Sequence, residues 1–206
     1  MNSMYHIMHE ELKRGRSLVL ARIVRRHGSA PRSTGAWCLV RSDGSLQGSV
    51  GGGELEARVA EEAGKMVNQG GTQLFTYRLQ QEDAAANGMI CGGDVDILLE
   101  HIWPESGARD VVAKAVGLMD QGRSGLQLSQ LPAADSEERH SRQGLLDDSG
   151  KLWGDLPVPR ELVSQGLSSR NEPGLVSTRD GAQYFIDPVR PRSSLVIFGG
   201  GHISLP

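Results

Sequence analysis

Gly48-Ser49-Val50-Gly51-Gly52-Gly53-Glu54-Leu55-Glu56-Ala57-Arg58-Val59 runs a short apolar strand into three consecutive glycines and then at once into an acidic, helix-forming segment. Glycines let the backbone turn through conformations closed to other residues and let a ligand approach without meeting a Cβ. The N–H groups that open a helix form an anion site, reinforced by the helix dipole. Strand, glycine turn and helix in immediate succession place the chain in the α/β class. Its main domain is expected to be α+β-like, with antiparallel hairpins and flanking helices.

Working outward, Tyr5 to Arg14 reads as a helix with Ile7, Met8 and Leu12 inward, and Ser17 to Arg25 as a strand. Gly28 to Gly35 is a loop by its glycines and proline. Ala36 to Arg41 and Leu46 to Val50 form a hairpin around Asp43-Gly44, a tight-turn signal. Leu55, Val59, Ala63, Met66 and Val67 recur at helical spacing up to the Gln69-Gly70-Gly71 stop. Strands follow at Gln73 to Leu79 and Val95 to Ile102, with a polar loop between them that delivers Cys91.

The second half repeats this plan. Gly107 to Gln121 reads as a helix and Leu126 to Leu131 as a strand. Gly144 to Leu156 then echoes Trp37 to Val50, with Gly150 over Gly44 and Gly154 over Gly48. The order of elements matches as well, which suggests repeats over 1–104 and 105–190. Pro157-Val158-Pro159 replaces the triple glycine, so the second copy is expected to be structural. A helix-like Pro159 to Leu167 follows, and the chain runs through Tyr184 to Val189 into a proline-containing linker. The domain reading is 1–190 for the main unit and 193–206 for the start of another. There Leu195-Val196-Ile197-Phe198-Gly199-Gly200-Gly201-His202 has the strand-then-G-x-G form that opens a Rossmann-type unit. The dinucleotide-like loop would be Gly199, Gly201 and His202, and the domain would be truncated after its first strand.

Four groups of residues could carry chemistry. The N–H groups of Gly51, Gly52, Gly53 and Glu54 could cradle a phosphate, with Glu56 and Arg58 nearby; the alternative is a tight turn in which the glycines only permit packing. Cys91, flanked by Gly92 and Gly93, could be a thiolate that ligates a soft metal, holds a persulfide or attacks an electrophile, or else a buried loop cysteine. Ser29 and Arg32 could hydrogen-bond a phosphate, or Arg32 is a solvated loop residue. Cys38, between Trp37 and Leu39, reads as core, and His27 as a strand-end surface residue.

The 206 residues carry a formal net charge of −3, which gives no electrostatic case for nucleic acid. No stretch reaches the roughly 18 apolar residues of a membrane span, and the N-terminus lacks a signal-peptide core. Two distant cysteines make neither a zinc knuckle nor a disulfide scaffold, so a reducing cytoplasm is expected.

Taken together, Gly28-Ser29-Ala30-Pro31-Arg32, Gly48 to Glu56, Cys91-Gly92-Gly93 and Phe198 to His202 resemble the XdhC/CoxI family of xanthine dehydrogenase maturation factors. The resemblance covers most of the chain. It implies an accessory chaperone that binds molybdenum cofactor (molybdopterin), shields it, supports its sulfuration and hands it to an apo-hydroxylase. On that basis Ser29, Arg32, Gly51 to Glu54, Glu56 and Cys91 to Gly93 would hold the cofactor, with Cys91 on the metal. Implied partners are a xanthine dehydrogenase-type molybdenum hydroxylase, a cysteine desulfurase and a second copy in a homodimer. A longer parent would add a dinucleotide. Some relatives have a cysteine at the position of Glu54, or paired cysteines where this chain has Ile90-Cys91. Two other readings stay open: a fragment of a nicotinamide-dependent oxidoreductase, and a cofactor-free interaction module.

Overall fold

The computed structural model of the chain describes residues 3–78, 93–133, 142–159, 162–163 and 171–191. The expected Rossmann-type segment lies outside them. The first half comprises α1 (Met4–Lys13), β1 (Leu18–His27), β2 (Trp37–Arg41), β3 (Leu46–Gly48), α2 (Gly53–Gln69), β4 (Thr72–Arg78) and β5 (Asp94–Ile102). The second half comprises α3 (Gly107–Asp120), β6 (Gly125–Gln130), β7 (Gln143–Asp147), β8 (Leu152–Gly154), β9 (Gly174–Ser177) and β10 (Gln183–Val189). The result is a mixed α/β fold with two antiparallel sheets.

Alternation along β1 assigns its two faces. Val19, Ala21 and Ile23 meet Leu55, Val59, Ala63 and Met66 of α2, with Cys38 and Val40 in the same core. Leu18 and Leu20 face the other way and join α1 and α3, where Met8, Leu12, Val111, Val112 and Ala115 are buried. Ser3 caps α1 by accepting a hydrogen bond from the His6 N–H at 3.4 Å. A further cluster, Leu126, Leu128, Leu146, Leu156, Leu162, Tyr184 and Ile186, packs within the second half.

The two sheets have one topology, β3-β2-β1-β5-β4 and β8-β7-β6-β10-β9. Their registers also correspond. Leu18 faces Arg41 as Gly125 faces Asp147, and Leu20 faces Glu100 as Gln127 faces Asp187. Cys38 faces Gly48 as Gly144 faces Gly154. Arg22 is thus the counterpart of Ser129, Leu98 of Phe185, and Leu74 of Leu175. The cluster where the sheets meet contains Val24, Leu98, Leu131 and Phe185 with Leu74 and Leu175. Its members are matched positions from the two halves, as expected of packing about a local twofold axis.

At the centre of this interface lies a charge. The fully buried Arg22 donates to Glu100, Ser129 and Gln127, and its Nη1 is 3.5 Å from Asp187 Oδ2. Glu100 also accepts from Gln143 Nε2 at 2.9 Å, and the guanidinium sits 5.0 Å from the centre of the Phe185 ring. Glu100 and Asp187 are counterparts in the two sheets, so one arginine serves both acids. Burial works against its charge, but the two carboxylates outweigh that and raise its pKa. Burial raises Asp187 above the usual carboxylate range, a shift that Arg22 only partly offsets.

The β7–β8 hairpin turns on Asp147. Its Oδ1 accepts from the N–H groups of Ser149 and Lys151, both at 3.0 Å, and its Oδ2 from Trp153 Nε1 at 3.1 Å. Burial works to raise this carboxyl, but the bonds from Ser149, Trp153 and Lys151 outweigh it and hold the pKa at about 2. A folded-state pKa below the unfolded one contributes stability at neutral pH that is lost as pH falls from about 4 towards 2. Asp147→Ala should therefore destabilise by roughly 1–2 kcal/mol at pH 7, the range allowing for screening beside an exposed turn. The deficit should shrink below pH 4. Urea titrations at pH 7 and pH 3 check this, and an equal loss at both would refute it.

Candidate functional site

The glycine turn forms where β3 gives way to α2. Gly52 is the N-cap at φ 76° and ψ −178°, and Gly53 follows at φ 57°. A side chain at either would strain the backbone, yet a Cβ on either would meet no atom within 4 Å. Space above these two residues is open. Gly51 and Gly93 differ. A Cβ on Gly51 would come 2.7 Å from Pro31 Cγ, and one on Gly93 would reach the carbonyl of His27 and come within 2.6 Å of Ser29 O. Gly51 and Gly93 thus make room for close packing, whereas Gly52 and Gly53 leave backbone accessible.

These contacts draw the candidate segments together. The loop from Gly28 to Gly35 rests through Pro31 on the glycine turn, and through Ser29 on Gly93 at the head of β5. His27, Ser29, Arg32, Gly53 and Glu54 are exposed around this junction. His27 Nε2 is 3.9 Å from Asp96 Oδ2, with Arg25 Nη1 3.4 Å from the same oxygen. Arg32 makes no ion pair among the described residues. Arg58 turns to Glu61 at 3.7 Å along its own helix, away from the role of a phosphate partner. Cys91 and Gly92 lie outside the described residues, as do Gly199, Gly201 and His202.

One donor of the expected cradle is engaged. The Gly52 N–H donates to Glu56 Oε1 at 2.9 Å, and the Gly51 N–H to Ser49 Oγ at 3.3 Å. The helix therefore carries its own anion, a carboxylate reaching back one turn, as in a capping box. Gly53 and Glu54 supply the first-turn N–H groups, which have no acceptor within a helix. Beneath them Cys38 is buried, and desolvation with the nearby Glu56 charge pushes its thiol up to about 12. It is an inert core cysteine.

A cavity of about 380 Å³ opens in the second half, among Ser124, Asp147, Asp148, Val189 and Arg190. Its polar groups have structural partners: Asp147 holds the hairpin, and Asp148 pairs with Arg123 at 3.1 Å. It contains none of the candidate residues, and the glycine turn is the better chemical site. Among the described residues no three His, Cys, Asp or Glu groups converge as a metal would require.

The profile of the XdhC and CoxI family matches residues 11–78, which include the Ser29–Arg32 loop and the whole glycine turn. This is an XdhC-type family protein. A probable xanthine dehydrogenase subunit of Bacillus subtilis is 26% identical to the XdhC-type chain over 192 residues, 91% of this chain and 54% of that protein. YqeB of Escherichia coli is 39% identical over 80 residues, 39% of this chain and 15% of that protein. A crystal structure of a xanthine dehydrogenase from Bacillus halodurans superimposes with a TM-score of 0.68 at 21% identity, over 92% of this chain and 54% of that one. At that identity the likeness concerns the fold alone. The XdhC-type chain spans about half the length of these two Bacillus proteins, and less of the E. coli one. No helix among its described residues is long and apolar enough to cross a membrane.

Proposed function

We propose that the chain is an accessory chaperone for a xanthine dehydrogenase-type molybdenum hydroxylase. On this reading it binds molybdenum cofactor, supports sulfuration of the metal with a cysteine desulfurase as sulfur source, and delivers the cargo to the apoprotein. The observation that carries the reading is the convergence of the open Gly52–Gly53 helix start with the Ser29–Arg32 loop, inside the family-matched segment. Gly93 closes the group from the head of β5.

The residues suit a phosphate-bearing cargo. The Gly53 and Glu54 N–H groups and the dipole of α2 favour an anion, the bare backbone admits it, and the exposed Arg32 guanidinium belongs to the adjoining loop. Glu56 is the resident competitor, since it must leave the Gly52 N–H before that donor can serve the cargo. Binding is then an exchange of one anion for another, and the net gain is modest. A carrier that must release its load needs that. Cys91, two residues before Gly93 in the sequence, is assigned to the soft metal.

Purification from cells that make molybdenum cofactor, followed by metal and pterin analysis, tests the reading. Because Gly52 tolerates no side chain, Glu56 and Arg32 are the better probes. The parent chain should carry molybdenum and pterin, Glu56→Gln should retain more, and Arg32→Glu less. The loss of a charge-assisted bond corresponds to about 1.5–3 kcal/mol. Cys91→Ser should keep the fold and lose molybdenum, whereas Cys38→Ser should mainly lower stability. A parent chain free of both metal and pterin would overturn the reading.

A further inference from the structure

We propose that the second half of the chain sets the geometry of the cargo-binding loop from outside, with Pro173 as the positioning residue. The inference rests on the cargo-binding reading above and adds a role for the half that lacks the glycine turn. Hydrogen bonds tie the Gly28–Gly35 loop at its root. The Gly35 N–H donates to Ile23 O at 2.8 Å, the Ile23 N–H to Ala36 O at 2.9 Å, and the Ala36 N–H to Ser33 O at 3.0 Å. Nothing in this root fixes the lean of the loop. That is decided by two proline rings, each seated on a glycine.

On one side Pro31 packs where a Cβ on Gly51 would be. On the other, Gly35 stands at φ 86°, and a Cβ there would come within 2.9 Å of Pro173 Cβ and closer still to its Cγ. Pro173 belongs to the second half and is itself held. It precedes β9, which pairs with β10, and two residues upstream Asn171 O accepts from the Arg190 guanidinium. A line of rigid contacts therefore runs from Arg190 through Asn171, Pro173, Gly35 and Pro31 to Gly51, and the loop bearing Ser29 and Arg32 lies along it. A loop already held in its bound shape loses less entropy when cargo arrives. The contact lies apart from the buried clusters that carry the fold.

The test uses the full chain and three variants: Pro173→Gly, Gly35→Ala and both together. Hydrogen exchange at the Gly35 and Ala36 amides, pterin retained on purification, and the urea midpoint are read for each. Pro173→Gly should speed exchange at those amides about tenfold and lower retained pterin several-fold, with the midpoint nearly unchanged. Gly35→Ala should act in the same direction, because its methyl meets the ring. The double variant should retain more pterin than Gly35→Ala alone, since removing the ring makes room for the methyl. Unchanged exchange in Pro173→Gly overturns the contact's role, and faster exchange with full pterin retention overturns its function. A parent chain without pterin would sink the cargo reading instead, while the exchange measurement still decides whether Pro173 holds the loop.

Discussion

Arg22→Met is expected to destabilise the chain by about 3–5 kcal/mol, the usual result of removing one partner from a buried ion cluster. The side chain has no exposure, and Glu100 beside it is equally buried. Without the guanidinium, Glu100 and Asp187 would face each other's charge across the sheet interface in a medium that solvates neither. Arg22→Met combined with Glu100→Leu should recover much of the loss, because apolar replacement of a whole buried pair is often close to neutral. Urea unfolding of the two variants measures both effects. A single variant within 1 kcal/mol of the parent would show that water reaches the cluster and that the interface does not depend on it.

Gly93→Ala should be the most damaging small substitution near the site. The added methyl would press on backbone atoms of His27 and Ser29, which cannot rotate away as a side chain could. Overpacking of this kind costs about 1–3 kcal/mol. The strain would fall where β1 pairs with β5, since His27 faces Asp94, so the Ser29 loop should move with it. Both the urea midpoint and retained pterin are expected to drop. Gly64→Ala is the matched control. Gly64 is in α2 with open space around it, and the change there should stabilise by roughly 0.5–1 kcal/mol. A Gly93→Ala protein as stable as the parent would remove the packing argument for that glycine.

Much of the fold was legible in the sequence because local signals agreed with the tertiary outcome. Asp43-Gly44 and Ser149-Gly150 mark hairpin turns that form, and the apolar spacing from Leu55 to Met66 lies on the buried face of α2. The strands β9 and β10 were not legible. Gly174–Ser177 is only half-buried and short, and Pro188 interrupts the pattern of β10. Pro188 is accommodated because β9 pairs only as far as Ile186, leaving that side of the strand without a partner. The Arg22 cluster was also invisible, since its members come from β1, β5, β6, β7 and β10 and none stands near another in sequence. At the site, residue types pointed to the glycine turn, but not to the split between packed and open glycines. Nor did the spacing of Gly52 and Glu56 show that the carboxylate would fold back onto the N–H. Both depend on what lies opposite the backbone.

The matched halves meet across a modest surface, the Val24–Phe185 cluster and the ions around Arg22. Two free protomers docking through it would first have to overcome about 4–15 kcal/mol of lost translational and rotational freedom. Here the brief connection from Ile102 to Gly107 keeps each half at the other's door, so docking is unimolecular and a small interface suffices. Tandem linkage also frees the halves from having to be identical. One copy can keep a ligand-accessible helix start while the other, relieved of self-complementarity, places a proline there and turns its loops to bracing its neighbour.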